Sequence, residues 1–330
     1  MLCRRSFIGL MAAAALAGVS GCTRRDEVRR AGEARRVLFY FDTVCEVGGV
    51  MDEAVLDECE AMCERFEHLF SRTIEGTDVW RINEARGAAC AVDHDTAELV
   101  RAALGYSEAS GGLFDITIGA VTRLWDFHEH VVPDAAAIEA ALPHVGYERV
   151  VVDGDTVTLS DPDAAIDLGG IAKGYVTDRL CDLLRERQVT SAYVNLGGNV
   201  AVIGAKASGE PWSVGVRDPF VEDASAVVAR IHTTGGSLVT SGLYERSFEE
   251  GGRRYWHILD PRTGYPVETD CVSASIFSQA SVDGDGYTKP LFMMGTDEAL
   301  AFARDRGVDA LLVDGDGTIR VGEGSAFELL

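Results

Sequence analysis

The stretch from Asp167 to Asp178 places the tightest constraint on how this chain folds. It reads Asp-Leu-Gly-Gly-Ile-Ala-Lys-Gly-Tyr-Val-Thr-Asp and follows an apolar run. The glycines let the backbone turn sharply, and a helix is predicted from Ile171 onward with Lys173 in its first turn. Free amide groups, the positive end of the helix dipole and an ammonium group together favour an anion site. The spacing matches neither G-x-x-x-x-G-K-[ST] nor G-x-G-x-x-G, and a plain glycine turn with a solvated lysine explains it equally well.

The overall composition is that of an acidic globular protein. The 330 residues suffice for one large or two modest domains, with 47% hydrophobic and 25% charged residues. Acidic residues number 53 against 30 basic ones, a net charge of −23. Because this charge repels nucleic acid and anionic lipid surfaces, we expect neither as a partner. An anionic small ligand therefore requires a local cluster of donors or a metal ion.

Residues 1–21 are predicted to be a twin-arginine lipoprotein signal peptide rather than part of the fold. Arg4-Arg5 precedes an apolar stretch that is too short to span a bilayer, and Val-Ser-Gly comes directly before Cys22. Cys22 is predicted to carry the lipid, and residues 22–36 to form a polar tether. We expect an exported cell-envelope lipoprotein, held on the outer face of the cytoplasmic membrane only by its N-terminal lipid. An ordinary cleaved signal peptide or a short anchor is the alternative.

The hydrophobic pattern of residues 37–330 predicts one α+β domain with irregularly interleaved elements. Its six cysteines contain no C-x-x-C pair and are interpreted as buried thiols. Helices are predicted over 51–70, 95–110, 134–142, 171–188 and 290–306. Strands or hairpins are predicted over 37–50, 147–160, 192–195, 200–216, 226–233, 254–259, 271–277 and 310–321. Residues 71–83 are predicted as a turn-rich connection and residues 281–289 as a polar, acidic turn.

Five loops that follow predicted strands combine glycine with a polar side chain, and such loops at one rim of a sheet commonly form a ligand site. Their motifs are Gly-Leu-Phe-Asp-Ile-Thr-Ile-Gly (112–119), Asp-Leu-Gly-Gly-Ile-Ala-Lys-Gly-Tyr (167–175), Asn-Leu-Gly-Gly-Asn (195–199), Thr-Ser-Gly-x-Tyr-Glu-Arg-x-Phe (240–248) and His-Ile-Leu-Asp-Pro-Arg-Thr-Gly-Tyr-Pro (257–266). In these motifs and in their order the chain resembles the ApbE-like FAD:protein FMN transferases, flavin transferases of bacterial envelopes. The resemblance covers about residues 39–295.

The resemblance implies both a fold and a reaction. The fold is an ApbE-like α+β fold of mainly antiparallel sheets with packed helices and an FAD cleft at the loop rim. In the reaction, a Thr or Ser hydroxyl of an exported acceptor protein attacks the phosphorus on the FMN side of FAD. AMP leaves, and FMN stays on the acceptor as a phosphoester. The implied acceptor is an electron-transfer flavoprotein.

The resemblance also assigns roles to individual residues. His257 is the implied base, because an imidazole takes a proton near neutral pH; a lone histidine elsewhere would more often be structural. Lys173, with the neighbouring amides, would hold phosphate oxygens, and Asp285 is the third implied catalytic residue. Tyr244 is a candidate for ring stacking, with a plain core position as its alternative. The implied FAD-binding residues are Phe114, Asp115, Thr117, Lys173, Tyr175, Asn195, Gly197, Tyr244, His257 and Ile258.

The implied metal site is where this chain departs from the family pattern. Family members read Asp-x-x-(Ala/Ser)-Thr-Ala, and the Asp carboxylate, the Thr hydroxyl and a carbonyl before Lys-Gly hold Mg²⁺. Here Asp285 is present and Ala172 supplies the carbonyl, but Lys289 stands at the threonine position. In one interpretation Thr288 enters the coordination shell and Mg²⁺ is kept. In the other, the Lys289 ammonium takes the place of the metal, pairs with Asp285 and neutralises the pyrophosphate itself.

Two other functions remain open from the sequence. The same site would act as an FAD pyrophosphatase, releasing FMN and AMP, if water replaced the acceptor. A non-catalytic FAD-binding lipoprotein is the second alternative, and the Lys289 departure supports it. Acid-stable flavin on an acceptor protein distinguishes transfer from hydrolysis, and FAD that stays intact over hours indicates storage.

Overall fold

The computed structural model describes residues 32–223 and 225–330. The predicted signal peptide, the lipidation site Cys22 and most of the predicted tether lie outside the described residues. The first strand begins at Glu33, inside the stretch predicted as tether, so regular structure starts before residue 37. Within the described ranges, no helix combines the length and the apolar character that crossing a bilayer requires.

The described residues contain sixteen strands, and every two strands that are hydrogen-bonded to each other run antiparallel. They are β1 (Glu33–Tyr40), β2 (Thr43–Val50), β3 (Cys90–Ala91), β4 (Val150–Asp153), β5 (Thr156–Leu159), β6 (Ala192–Leu196), β7 (Asn199–Ile203), β8 (Trp212–Arg217), β9 (Val227–Thr233), β10 (Gly235–Gly242), β11 (Ser247–Glu250), β12 (Arg253–Trp256), β13 (Cys271–Ser278), β14 (Asp309–Asp314), β15 (Ile319–Val321) and β16 (Glu328–Leu329). Eight form the main sheet in the order β1-β2-β6-β7-β10-β13-β14-β15. The others form the sheets β16-β9-β8 and β3-β5-β4 and the hairpin β11-β12.

Eight α-helices pack around these sheets in the described residues. They are α1 (Glu53–Phe70), α2 (Asp78–Glu84), α3 (His94–Ala109), α4 (Gly119–Thr122), α5 (Ala135–Ala141), α6 (Ala172–Glu186), α7 (Ser281–Leu291) and α8 (Thr296–Asp305). The largest apolar cluster lies between the main sheet and helices α1, α3 and α6. The predicted α+β class, with mainly antiparallel sheets and packed helices, is confirmed.

Three segments differ from their prediction for identifiable reasons. Residues 37–50 form the hairpin β1–β2 instead of one strand, because Phe41 and Asp42 adopt φ values of 54° and 56°. A two-residue turn of this kind normally carries Asn or Gly, so its sequence signal was absent. Residues 71–83 include helix α2, which begins where the Thr77 hydroxyl accepts a bond from the Trp80 amide at 3.2 Å. The predicted strand over 200–216 is divided into β7 and β8.

The segment predicted as a polar turn over 281–289 is helix α7. Its glycines and Pro290 disfavour a helix by propensity, but the glycines are required by packing. A Cβ atom on Gly286 would lie 2.5 Å from the Tyr106 ring, and one on Gly284 would overlap Val239. Tertiary contacts therefore override the local preference here.

Helices α6 and α7 cap each other. Asp178 of α6 accepts bonds from the Ser281 and Val282 amides at the start of α7, at 2.7 and 2.9 Å. In return, Asp285 of α7 accepts a bond from the Gly174 amide in the first turn of α6 at 2.6 Å. A Cβ atom on Gly174 would lie 2.7 Å from the Ser281 carbonyl oxygen, so only glycine permits this approach. The reciprocal caps fix the N-terminus of α6 against α7.

All six cysteines of the described residues are buried free thiols, as the sequence predicted. Burial raises the pKa of Cys45, Cys59, Cys181 and Cys271 to about 12. A thiol with so high a pKa is neutral and unreactive at physiological pH, so these residues serve as small apolar core side chains.

Candidate active site

An ion pair on helix α7 forms the centre of the site. The Lys289 ammonium donates to Asp285 Oδ1 at 2.8 Å, and the side chains are 17% and 1% exposed. Asp285 Oδ2 accepts the Gly174 amide bond described above. Burial by itself would raise the pKa of Asp285, but Lys173, Lys289 and the Gly174 amide outweigh it and hold that pKa below its usual value. The carboxylate is therefore ionised, and both of its oxygens have donors.

Lys173 lies next to this pair, in the first turn of α6. Its charge acts on Asp285, His257 and Glu245. Among the described residues, the Lys289–Asp285 contact is the one ion pair that involves a lysine, so the Lys173 ammonium is available to an external anion. The amides of Ala172 and Gly174 at this helix start are already bonded, to the Leu168 carbonyl and to Asp285, so α6 adds chiefly its dipole to the charge of Lys173.

His257 follows strand β12 and is half-buried. Its amide donates to the Arg246 carbonyl at 3.1 Å. Burial lowers the pKa of the imidazole, and the charges of Arg246, Lys173 and Lys289 lower it further, to about 3. The Nδ1 atom is buried and has no hydrogen-bond partner among the described residues. The imidazole is therefore neutral near pH 7, and a neutral imidazole has a lone pair that accepts a proton.

Glu245 and Arg246 complete the group, which we call the charged cluster: Lys173, Glu245, Arg246, His257, Asp285 and Lys289. Arg246 donates to the Asp42 carbonyl at 3.1 Å and lies 3.1 Å from its carboxylate, at the β1–β2 turn. The His128 ring also contacts that carboxylate, at 2.9 Å. Glu245 and Arg246 belong to the 240–248 motif, but the resemblance implied no role for either of them. Their place in that motif was the signal that could have identified them.

The turn between β6 and β7 forms one side of the site. Gly197 and Gly198 adopt φ values of 58° and 99°, which other residues rarely adopt. The Asn195 side chain accepts a bond from the Gly198 amide at 3.1 Å and holds the turn in place. A Cβ atom on Gly198 would lie 3.9 Å from a Glu245 carboxylate oxygen, so this turn borders the charged cluster. Asn195 and Gly197 thus lie near the cluster.

Phe114 is also close to the cluster. A Cβ atom placed on Gly170 would lie 3.5 Å from the Phe114 ring and 4.0 Å from Lys289 Cε. The glycine turn before α6 is therefore lined by Phe114 on one side and Lys289 on the other. Phe114 is itself 6% exposed and packs in the largest apolar cluster, so it offers a ligand little open ring surface.

Asp115 and Thr117 organise the loop that carries Phe114. Asp115 Oδ1 accepts from the Thr117 amide and hydroxyl at 2.7 and 2.6 Å, and Oδ2 accepts from the Tyr147 amide at 2.9 Å. The Thr117 oxygen accepts in turn from the Gly146 amide at 2.7 Å. Both side chains are buried and already bonded. Their contacts hold the 112–119 loop against residues 146–147.

Lys173 and His257 are the two predicted FAD-binding residues inside the charged cluster, and three of the others, Tyr175, Ile258 and Tyr244, have contacts elsewhere. Tyr175 packs against Phe66 and Phe70 in the core, and its hydroxyl contacts Asp95 and Glu98. Residues two apart on a helix face different directions, so Tyr175 and Lys173 cannot share a surface. The Ile258 side chain is 4% exposed and belongs to the core next to α7 and α8. Tyr244 lies beside the cluster, with its ring 5.3 Å from the Arg217 guanidinium.

Two of the residues predicted to bind Mg²⁺, Asp285 and Thr288, already have other partners. The Thr288 hydroxyl is buried and bonds to the Ser241 hydroxyl at 2.9 Å. Asp285 is paired with the Lys289 ammonium, and Ala172 begins helix α6. Magnesium requires several oxygen ligands at short range and keeps some of its waters. With an ammonium 2.8 Å from the one carboxylate, the residues present do not fit this ion.

The fold and the charged cluster together define a site for a phosphate-bearing small molecule. The comparisons with known proteins identify the family. The model of the ApbE family matches residues 41–312. An FAD:protein FMN transferase of Klebsiella pneumoniae is 39% identical over 268 residues, covering 79% of this chain and 83% of that protein. One of Treponema pallidum is 34% identical over 335 residues, covering 94% and 91%.

A solved structure gives the same result. The crystal structure of the ApbE protein from Thermotoga maritima matches with a TM-score of 0.82 at 32% identity, covering 88% of this chain and 97% of that one. The chain therefore belongs to the ApbE family, and the predicted family and fold are confirmed.

Proposed function

We propose that this protein is an FAD:protein FMN transferase. It moves FMN from FAD to a Thr or Ser hydroxyl of an acceptor protein and releases AMP. Relatives that carry this name match most of their own length and most of this chain. The observation that carries the proposal is a neutral imidazole, His257, next to the Lys173 ammonium, which has no ion-pair partner in the part of the chain that the structure describes.

The reaction needs few protein groups. The acceptor hydroxyl oxygen forms a bond to the phosphorus on the FMN side, while the bond from that phosphorus to the bridging oxygen breaks. AMP leaves with the electron pair of the broken bond, and His257 takes the hydroxyl proton. The Lys173 ammonium holds the phosphate oxygens, and the dipole of α6 helps it to offset their charge. Positioning and charge neutralisation of this kind account for most of the catalysis in phosphoryl transfer.

Binding of FAD activates this base. In the protein alone, burial and the charges of Arg246, Lys173 and Lys289 keep the pKa of His257 at about 3. The negative pyrophosphate offsets those positive charges, so the pKa of His257 rises toward the working pH when FAD binds. The imidazole thus becomes an effective base only in the complex.

Export and anchoring are part of the proposal. The twin-arginine start, the short apolar stretch and Cys22 support an envelope lipoprotein attached by its lipid. That location implies an exported acceptor, and the family resemblance implies that this acceptor is an electron-transfer flavoprotein. The net charge of −23 supports the absence of a nucleic-acid partner.

Magnesium is implied by the family resemblance, through Ala172, Asp285 and Thr288. The contacts of Asp285 and Thr288 do not support it in this chain, because one is paired with Lys289 and the other with Ser241. No step of the proposed reaction is therefore assigned to a metal ion.

The proposal is tested by incubating the protein with FAD and a candidate acceptor. We expect acid-stable flavin on the acceptor in amounts equal to the AMP released. His257→Ala should reduce the rate about 10²- to 10⁴-fold, the usual contribution of a general base, and leave FAD affinity nearly unchanged. The matched control is His94→Ala, at an exposed histidine on α3, which should keep the wild-type rate.

Other outcomes identify the alternative functions. AMP and free FMN in the absence of acceptor, with no flavin bound to protein, would indicate an FAD pyrophosphatase. Intact FAD and an unchanged response to His257→Ala would indicate a storage protein. Mass spectrometry of exported proteins, with and without this chain, would identify the acceptor by its added FMN.

A further inference from the structure

Lysine is rare in this chain, and its distribution is uneven. The 330 residues contain three lysines, Lys173, Lys206 and Lys289, and the other basic side chains are arginine. Two of the three lie in the charged cluster. Lys206 lies elsewhere, with its ammonium 5.8 Å from the Trp212 ring.

Lys289 holds its ammonium in one position. It lies four residues after Asp285 on α7, a spacing at which side chains on a helix are neighbours. The contact to Asp285 Oδ1 is 2.8 Å, and Asp285 itself is fixed by the Gly174 amide at 2.6 Å. A Cβ atom on Gly170 would lie 4.0 Å from Lys289 Cε, so the side chain runs along the glycine turn before α6. Its ammonium therefore lies beside the anion-binding end of that helix.

We propose that the Lys289 ammonium replaces the divalent cation of the family's metal site, so that flavin transfer by this chain needs no metal ion. This inference rests on the proposed function. A single ammonium paired with Asp285 contacts the same carboxylate that would otherwise bind the ion. It also contributes a positive charge next to Lys173, where the pyrophosphate oxygens are held.

The surrounding contacts do not allow the Lys289 ammonium and a divalent ion to bind Asp285 at the same time. A divalent ion on Asp285 would lie within a few ångströms of the ammonium and would be repelled by it. The other hydroxyl that could bind such an ion, on Thr288, is committed to Ser241 at 2.9 Å in a buried position. Asp285 Oδ2 is committed to the Gly174 amide, which the start of α6 requires. Lys289 and a metal ion are therefore alternatives at this site.

Lys289→Thr is the informative variant, because it restores the family pattern at this position. Wild-type protein, stripped of metals and assayed with FAD and acceptor in excess chelator, should keep its rate within twofold, and added Mg²⁺ should not raise it. Lys289→Thr should lose at least tenfold in chelator and regain most of that rate with Mg²⁺. Lys289→Met should be slow under both conditions. Lys206→Thr should behave as the wild type.

Metal binding by the wild-type protein is a second measurement, and it requires neither catalysis nor a folded variant. Titration of wild-type protein with Mn²⁺, followed by electron paramagnetic resonance, should show no site in the micromolar range. The same titration of folded Lys289→Thr should show one site.

The outcomes separate this inference from the proposed function. Wild-type transfer that is abolished by chelator and restored by Mg²⁺, or a tight Mn²⁺ site in the wild type, would overturn the role of Lys289. Absence of transfer under every metal condition, with FAD and acceptor present, would instead count against the proposed function.

Discussion

The depressed pKa of His257 predicts a specific dependence of stability on pH. His257→Asn removes the titrating ring and keeps a polar side chain of similar shape. In the folded wild type the pKa of His257 is about 3, lowered by burial and by Arg246, Lys173 and Lys289. In the unfolded chain it is about 6.5. Between these values the unfolded chain binds a proton that the folded protein does not bind, so acid destabilises the wild type at this residue.

The magnitude follows from the two pKa values. Between pH 8 and pH 5, proton linkage at His257 lowers the wild-type free energy of unfolding by about 2 kcal/mol. This is an upper value, because water partly screens a half-buried ring. His257→Asn has no imidazole at this position, so its unfolding takes up no proton there. The free energy of unfolding of His257→Asn, minus that of the wild type, should therefore increase by up to about 2 kcal/mol as the pH falls from 8 to 5.

Urea unfolding at pH 8 and pH 5, followed by circular dichroism, measures this difference. His94→Asn is the control with the opposite sign. A hydrogen bond to Asp155 raises the pKa of His94, so its contribution is present at low pH and declines as the pH rises. Removing it should make the variant relatively less stable in acid. A difference for His257→Asn that stays constant between the two pH values would refute the reasoning, because the folded-state imidazole would then titrate normally.

Two further predictions concern the contact between α6 and α7. Burial raises the pKa of Asp178 to about 6, so the wild type gains stability as the pH falls through 6. The stability of Asp178→Asn relative to the wild type should fall by about 1.4 kcal/mol between pH 8 and pH 5 in urea titrations, and a rise would contradict this. Gly174→Ala should destabilise the protein, because its Cβ would lie 2.7 Å from the Ser281 carbonyl. Gly105→Ala, on α3 with open space around it, should instead stabilise it by about 0.5–1 kcal/mol, and thermal unfolding compares the two.

The sequence predicted the parts of the site that depend on local patterns. The glycine turn before α6 and the position of Lys173 in the first turn follow from residues adjacent in the chain. The motif order placed His257 in the same site, although it lies far from Lys173 in sequence. Local patterns and motif order were thus sufficient to bring Lys173 and His257 into one candidate site.

The Lys289–Asp285 contact was one of two interpretations of this segment, and the local pattern could not decide between them. Two glycines and Pro290 made residues 281–289 resemble a turn, and in a turn the spacing of Asp285 and Lys289 has no fixed meaning. In helix α7 the same spacing places the two side chains in contact. The packing that requires these glycines involves Tyr106 and Val239, which are distant in sequence. Long-range packing therefore decided the local structure.

Helical periodicity bears on one of the predicted FAD-binding residues. Tyr175 ends the motif 167–175, and it lies two residues after Lys173 on the same helix. The opposite directions of such residues indicate a core position for one of them. The structure shows that position against Phe66 and Phe70.

The reciprocal caps between α6 and α7 have a consequence for ligand binding. Each helix holds the first amides of the other, through Asp178 in one direction and Asp285 in the other. Movement of either helix would break these bonds, so the start of α6 and the Lys289 ammonium, which is paired with Asp285, are in place before any ligand arrives. Little reorganisation energy is then spent when a pyrophosphate binds, and the fixed dipoles act fully on the charge that develops during the reaction.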